Sequence, residues 1–352
     1  MPGPDGRQKF LRAGGQTRRD QDDQSKGRAE GTKNSHEGTV GFSPIVTTRQ
    51  TRKSSGLRPV AICNGPRAGK ITRTPPMNVL PCRWLLSALL LPVMMPGAES
   101  SPKLGSKVFT WESLAVKPTA VGERRDVSDN PTATLHVFEC HITTLNSGRA
   151  SHPPHTHPQE ELIVLREGTL DVQVNGVMTR VGPGSLFFFA SNDPHNVMNP
   201  GDKPATYFVF NFTTAVTPTL RGQAAQPAIT GRRGSSIFDW TKLEAKATKT
   251  GERRDVTDLP TLTLANFECH ITTLRAGEAP HAPHHHPDEE IVLVKEGQLD
   301  VTINGTTQHA GPGSICFISS GDEHGWKNTG DTVATYYVFR LKTEATPVVA
   351  MK

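Results

Sequence analysis

Ten residues in the second half of the chain, 281–290, read HAPHHHPDEE, and residues 152–161 read HPPHTHPQEE. In the earlier phrase His155, His157 and Glu161 stand at i, i+2 and i+6; in the later one His284, His286 and Glu290 repeat that spacing. On an extended strand even offsets share a face, so two imidazoles and a carboxylate can converge. A further imidazole follows in each half, His195 in SNDPHNVMN and His324 in SGDEHGWKN. Three neutral imidazoles and one carboxylate suit a divalent first-row ion. On an octahedral ion they leave two positions for water, dioxygen or a chelating substrate. The competing reading is a set of histidines that only pack and hydrogen-bond, but unpaired buried imidazoles clustered with a carboxylate are costly.

The elements that would position these residues come in duplicate. A shift of 129 residues overlays the chain on itself without a gap: GERRDV (122–127) on 251–256, FECHITTL (138–145) on 267–274, and Trp111 on Trp240. About half of the positions from Phe109 to Thr214 are identical in the second copy, which means duplicated domains rather than a short-period solenoid. Each copy alternates short β-rich runs with turn signals, ELIVLREG, LDVQVNG, SLFFFAS and ATYFVFNF in the first. Asn175-Gly176 and Asn304-Gly305 are tight hairpin signals. Neither copy holds a helical pattern of ten residues with capping chemistry. The expected fold is all-β, a sandwich or jelly-roll barrel in each of 105–214 and 237–345, joined by a linker over 215–236.

With spacing and strands together, the chain resembles the two-domain cupins, or bicupins. The first cupin motif, G-x5-H-x-H-x3/4-E-x6-G, is met by the ligand triplets followed by Gly168 and Gly297; Gly148 and Gly277 stand one residue too early. The second, G-x5-P-x-G-x2-H-x3-N, is met by Gly184, His195 and Asn199, and by Gly313, Gly321, His324 and Asn328. Its proline is replaced by Ala190 and Ser319, and its middle glycine by Asn192 in the first copy. Asn tolerates positive φ, so the turn should survive. The resemblance implies two tandem jelly-roll barrels, each holding Fe, Mn, Ni, Cu or Zn on His155, His157, Glu161 and His195, and on His284, His286, Glu290 and His324.

Other residues carry weaker signals. FECHITTL places Glu139 and His141 on one face and Cys140 on the other, as it does Glu268, His270 and Cys269. If the polar face points inward, Glu139, His141, Glu268 and His270 are candidate acid–base or ligand-orienting groups; alternation alone leaves both facings open. Arg125 and Arg254 are candidates to clamp an anion, or to pair with the adjacent Asp126 and Asp255. His152, His281 and His285 read as solvated loop residues, Tyr207 and Tyr336 as core aromatics. Glu160 and Glu289 should point away from the ligand cluster.

Charge is divided unevenly along the chain. Residues 1–76 hold 15 Lys/Arg against 6 Asp/Glu, and the remainder 24 against 28. The basic balance therefore belongs to the leader, and the body offers no electrostatic case for nucleic acid. That leader has no apolar period and reads as disordered. Residues 77–100 follow the layout of a signal peptide: Arg83, an apolar run over Trp84–Met95, then Gly97-Ala98-Glu99-Ser100. The run is too short to span a membrane. Met77 then reads as the true start, with 1–76 an over-extended reading frame, and the mature protein as secreted or periplasmic without stable membrane association. Its three cysteines, Cys140, Cys269 and Cys316, read as small buried hydrophobes.

The function expected from the resemblance is a metal-dependent enzyme of dioxygenase type acting on a small oxygen-rich molecule. A non-catalytic small-molecule binder or sensor, or a non-oxidative cupin isomerase, decarboxylase or hydrolase, are the alternatives. Thr156 and His285, between the paired histidines, depart from the Trp-rich sequence of oxalate decarboxylases. A monomer or weak oligomer is expected.

Overall fold

The computed structural model describes residues 101–348; the leader and the signal segment lie outside the described residues. Among the described residues there are twenty strands and three short 3₁₀ turns. The first half gives β1 (Lys107–Phe109), β2 (Lys117–Thr119), β3 (Gly122–Asn130), β4 (Val137–Leu145), β5 (Glu160–Glu167), β6 (Leu170–Val174), β7 (Val177–Val181), β8 (Leu186–Phe189), β9 (His195–Met198) and β10 (Ala205–Thr213). The second repeats them as β11 (Ser236–Phe238), β12 (Lys246–Ala247), β13 (Gly251–Leu259), β14 (Asn266–Leu274), β15 (Glu289–Glu296), β16 (Leu299–Ile303), β17 (Thr306–Ala310), β18 (Ile315–Ile318), β19 (His324–Asn328) and β20 (Ala334–Lys342). No described helix is long and apolar enough to cross a membrane.

Each barrel sets a seven-stranded antiparallel sheet against a three-stranded one. In the first the orders are β11-β8-β5-β10-β4-β3-β2 and β7-β6-β9; in the second, β1-β18-β15-β20-β14-β13-β12 and β17-β16-β19. The β6–β7 and β16–β17 hairpins turn through Asn175 (φ 49°) and Asn304 (φ 47°), each followed by a positive-φ glycine, as a type I′ turn requires. Asn192 sits at φ 63° where the second copy has Gly321 at 83°, so that turn survives the substitution, and its side chain donates to Leu220 O.

Strand pairing crosses the boundaries drawn from sequence. β1, which precedes the first barrel, pairs with β18 of the second, and β11, which precedes the second, pairs with β8 of the first. Each three-residue strand covers an edge that would otherwise be open. Ser106 Oγ, just ahead of β1, donates to Asp322 at 2.5 Å and accepts from Ser319 N. Ser235, just ahead of β11, makes the same pair of bonds with Asp193 and Ala190 N. The assignment of 105–214 and 237–345 to separate barrels is thus corrected at its edges by an exchange of strands.

Alternation along the large sheets sends one face into the barrel and the other against the neighbouring barrel. Inside the first barrel Ile163, Leu165, Phe187, Tyr207 and Val209 pack against Leu170, Val172 and Val197 of the small sheet. The opposite face carries Phe138, Cys140, Leu162, Phe188 and Phe210, which join Phe267, Cys269, Phe317 and Phe339 in one cluster between the barrels. Phe138 stacks on Phe317 at 5.4 Å and Phe188 on Phe267 at 5.5 Å. Cys140, Cys269 and Cys316 are buried free thiols.

Glu160 and Glu289 belong to this interbarrel face. They point away from their own ligand clusters, as parity requires, but they are buried rather than solvated. Glu160 accepts from Thr261 Oγ1 at 2.5 Å, Thr263 Oγ1 at 2.6 Å and Leu262 N at 2.9 Å, all in the other barrel. Glu289 accepts from Thr132 Oγ1 and Thr134 Oγ1, both at 2.7 Å.

Candidate metal centres

The ligand triplets converge, though not by strand parity. Only Glu161 and Glu290 lie in strands, β5 and β15; His155, His157, His284 and His286 sit in the preceding loops. Backbone bridges position the histidines instead. His155 N donates to His195 O at 3.1 Å and His195 N to His155 O at 3.0 Å. His284 and His324 exchange the same bonds at 2.9 and 2.8 Å. One ligand atom from each of His155, His157 and His195 lies within 4.8 Å of the others, and the same holds for His284, His286 and His324. Glu161 Oε2 lies 3.2 Å from His157 Nε2, and Glu290 Oε2 lies 2.8 Å from His286 Nε2 and 3.8 Å from His324 Nε2.

Backbone carbonyls fix the tautomers. His157, His195, His286 and His324 each have Nδ1 2.8–3.0 Å from the carbonyl of Gln159, Asp193, Asp288 and Asp322 respectively. An Nδ1–H donated there leaves the Nε2 lone pair for the centre. His195 Nε2, His324 Nε2 and Glu290 Oε1 are buried with no hydrogen-bond partner. Orphaned acceptors aimed at a shared point are what a cation satisfies, so both donor sets fit a divalent ion.

Electrostatics keeps most of these donors unprotonated. Burial, then the charges of neighbouring histidines, pulls His155 and His284 down to about 4. Burial likewise lowers His195 and His324. Burial pushes Glu161 and Glu290 upward, but the His157 and His286 rings beside them outweigh it and both carboxyls end below their ordinary value. His157 is raised in return, so without an ion a proton is shared between its Nε2 and Glu161.

The polar face of FECHITTL points inward. Strand register places Glu139, Asn211 and Glu161 in one row across β4, β10 and β5, and Glu268, Arg340 and Glu290 in the matching row. Glu139 Oε1 lies 2.7 Å from His141 Nδ1 and accepts from Arg124 Nη2 at 2.9 Å, while Oε2 accepts from Asn211 Nδ2 at 2.8 Å. Burial would raise Glu139, but bonds from His141 and Asn211 with the charge of Arg124 hold it below its ordinary value. Glu268, His270 and Arg253 repeat the arrangement. Arg124, His141, Asn211 and Glu161 share a cavity of about 350 Å³ with the three histidines of the first barrel, and Arg253, His270, Arg340 and Glu290 share one of about 290 Å³ with His284 in the second.

Arg124 and Arg253 are functional candidates that sequence reasoning passed over in favour of their neighbours. Arg125 instead lies over Trp111 at 4.3 Å and donates to Leu114 O; Arg254 lies over Trp240 at 4.8 Å. Neither takes Asp126 or Asp255, which pair with Arg124 and Arg253. The signal was available: Arg124 shares strand parity with Asp126, and Arg125 does not. Asn211 and Arg340 carried no motif. His152 and His281 are exposed, with rings 4.0 and 4.4 Å from those of His155 and His284 at the cavity mouths. His285 is exposed, and Tyr207 and Tyr336 are buried.

A family model described as a cupin domain matches residues 141–211 and again 270–340. Among solved structures, a single-site mutant of Bacillus subtilis oxalate decarboxylase aligns with a TM-score of 0.51 at 14% identity, covering 70% of this chain and 79% of that one. The Lactobacillus farciminis oxalate decarboxylase formate complex gives the same score and identity over 69% and 88%. At that identity the likeness concerns the fold. The Bacillus enzyme has Mn(II) centres. The HTH-type transcriptional activators RhaS of Yersinia pestis (strain Pestoides F) and Yersinia pseudotuberculosis (strain YPIII) are 35% identical over 66 residues, 19% of this chain. The chain thus spans about a quarter of the length of these curated relatives.

Proposed function

Since the chain is a bicupin, a member of the cupin family with two jelly-roll barrels in tandem, we propose that each barrel is a metal-dependent catalytic centre for a small, oxygen-rich carboxylate. The observation that carries this reading is the His–Arg pair on the wall of each cavity, His141 with Arg124 and His270 with Arg253, each joined through a glutamate beside it. A bare binding site needs donors and shape; a hydrogen-bonded acid–base pair beside a candidate metal centre suits bond breaking.

His155, His157, Glu161 and His195 would hold the ion in the first barrel, and His284, His286, Glu290 and His324 in the second. Bound there, the ion would act as a Lewis acid toward substrate oxygens. Manganese is our first choice among Fe, Mn, Ni, Cu and Zn, on the strength of the Mn(II) centres of the structurally similar Bacillus enzyme; the three imidazoles suit Fe, Ni, Cu and Zn as well. Glu139 fixes His141 through Nδ1, leaving Nε2 as the nitrogen free to give or take a proton. Arg124 donates to the same Glu139 oxygen that faces His141, and Arg253 donates to Glu268 beside His270 in the second barrel.

We assign the reaction to cleavage of a carbon–carbon bond next to a carboxylate, of decarboxylase type, because a proton donor is built into the cavity. The dioxygenase type uses the same ligands and is separated by its consumption of dioxygen. Metal-loaded protein should release carbon dioxide from keto-acids or oxalate without net oxygen uptake, whereas oxygen uptake with catechols or flavonols would favour the dioxygenase type. Turnover should be lost in His155→Ala, His284→Ala or both. Full metal loading with no turnover on any class would favour a ligand-binding role, which the equal completeness of the two centres also suits. We further propose export, on the strength of the apolar run at 84–95.

A further inference from the structure

The two cavities differ at several positions, Val197 against Trp326 and Ser151 against Pro280 among them, and one difference falls in the row beside the candidate ligands. In the first barrel both oxygens of Glu139 are satisfied, Oε2 by Asn211. In the second, Arg340 stands where Asn211 stands and turns away, its Nη2 donating to Asp288 at 2.7 Å. The first barrel has neutral Gln159 at the position of Asp288. That turn leaves two atoms stranded, Arg340 Nε and Glu268 Oε2, each buried without a hydrogen-bond partner. The residues are direct partners in the β14–β20 ladder, and Arg340 also faces Glu290 across the β15–β20 ladder. Arg340 lines the cavity, and Glu268, its ladder partner, adjoins it through Arg253 and His270, so one charged donor atom and one charged acceptor atom stand unpaired at that wall. The first barrel offers only an acceptor in that row, Asn211 Oδ1.

The geometry points to a hydroxylated carboxylate as the ligand of the C-terminal barrel, with its hydroxyl accepting from Arg340 Nε and donating to Glu268 Oε2. A carboxylate oxygen there would meet Arg340 but repel Glu268, and an alkyl group would leave both atoms dry. A hydroxyl satisfies both with charge-assisted bonds. In the N-terminal barrel the same hydroxyl finds one neutral acceptor, so the two barrels divide related substrates between them. This rests on the reading that each cavity holds a small metal-chelating molecule.

Malonate and tartronate differ by a single hydroxyl and serve as the probe. His155→Ala with His157→Ala leaves the C-terminal centre, and His284→Ala with His286→Ala leaves the N-terminal one. Calorimetric titration of each metal-loaded variant gives a tartronate-to-malonate affinity ratio. The ratio should be at least about tenfold larger at the C-terminal centre, the scale of one hydrogen bond to a charged group. Arg340→Asn with Asp288→Gln installs the pair with which the other barrel already folds, and should bring the ratio down to the N-terminal value. Asn211→Arg with Gln159→Asp should raise it at the N-terminal centre. Equal ratios in the two barrels, or a C-terminal ratio untouched by the exchange, overturn the selectivity while leaving the catalytic reading standing. If neither diacid binds either loaded centre, both fall together.

Discussion

Thr261 of the second barrel donates its hydroxyl to the carboxylate of Glu160 in the first, and Glu160 is the chain neighbour of Glu161 beside the candidate metal centre. The reverse link runs from Thr132 and Thr134 to Glu289, next to Glu290. Each glutamate that would ligate a metal is therefore steadied by the barrel it does not belong to. Replacing Thr261 and Thr263 by valine removes both hydroxyl donors and leaves a fully buried carboxyl on backbone donors alone, at a cost of about 3 kcal/mol in stability. It should also weaken metal binding at the N-terminal centre by about tenfold, the scale of lost ligand support. Metal titration of a protein retaining only that centre reads this. Unchanged affinity despite the lost stability would mean that the contact only glues the barrels.

Exchange of β1 and β11 makes the halves interdependent. A cut in the linker between residues 222 and 232 leaves β1 attached to the first half and β11 to the second, so each fragment still carries an edge strand of the other's barrel. The cut protein should elute as one species. Either half expressed alone exposes Phe138, Phe188 and Phe210 or Phe267, Phe317 and Phe339, rings whose burial is worth about 1.5–3 kcal/mol each, and should aggregate. Two folded halves that separate on a sizing column would contradict this.

Repetition made much of this legible beforehand. A gap-free shift of 129 residues gave the two barrels, and the histidine spacing picked out six side chains that the fold gathers in two groups. The parity rule succeeded on FECHITTL only in offering two facings; it could not choose, because a sheet packed on both sides has no solvated face to betray the inside. Glu160 escaped for the same reason: away from one barrel is into the next. β1 and β11 are three residues long, too short for a periodic signal, and their partners in β18 and β8 lie far away along the chain. The asymmetry at Asn211 and Arg340 was visible as a substitution but meant nothing until Glu139 and Glu268 were placed beside them.

The three thiols should be inert in the folded protein. Burial pushes Cys316 up to about 12 and raises Cys140 and Cys269 well above the ordinary thiol range. A disulfide-exchange reagent at pH 8 should label none of them in the described fold and all three once it is unfolded. Rapid native labelling at Cys140 or Cys269 would show that the cluster between the barrels opens readily.

Acid should act on the metal-free protein in two separate windows. His155 and His284 sit near 4 in the folded protein against an ordinary 6.5, because burial disfavours their charged forms. The unfolded chain therefore binds their protons first, and stability drops as pH falls from 6.5 to about 4. His195 and His324, also lowered by burial, add to the same window. Asp126, held at about 2 by Lys117 and Arg124, and Asp255, held at about 2 by Arg253 and Lys246, contribute above their ordinary 3.8 and lose that contribution as pH falls toward 2. Both are exposed pairs of small worth. The denaturant midpoint of metal-free protein should thus decline chiefly between pH 6.5 and 4, and less steeply in a His155→Ala, His284→Ala double variant. Added divalent metal should raise the midpoint at pH 7 and lose that effect toward pH 4, because protons compete for the same imidazoles. An acid slope as steep in the double variant as in the parent would place the titrating groups elsewhere.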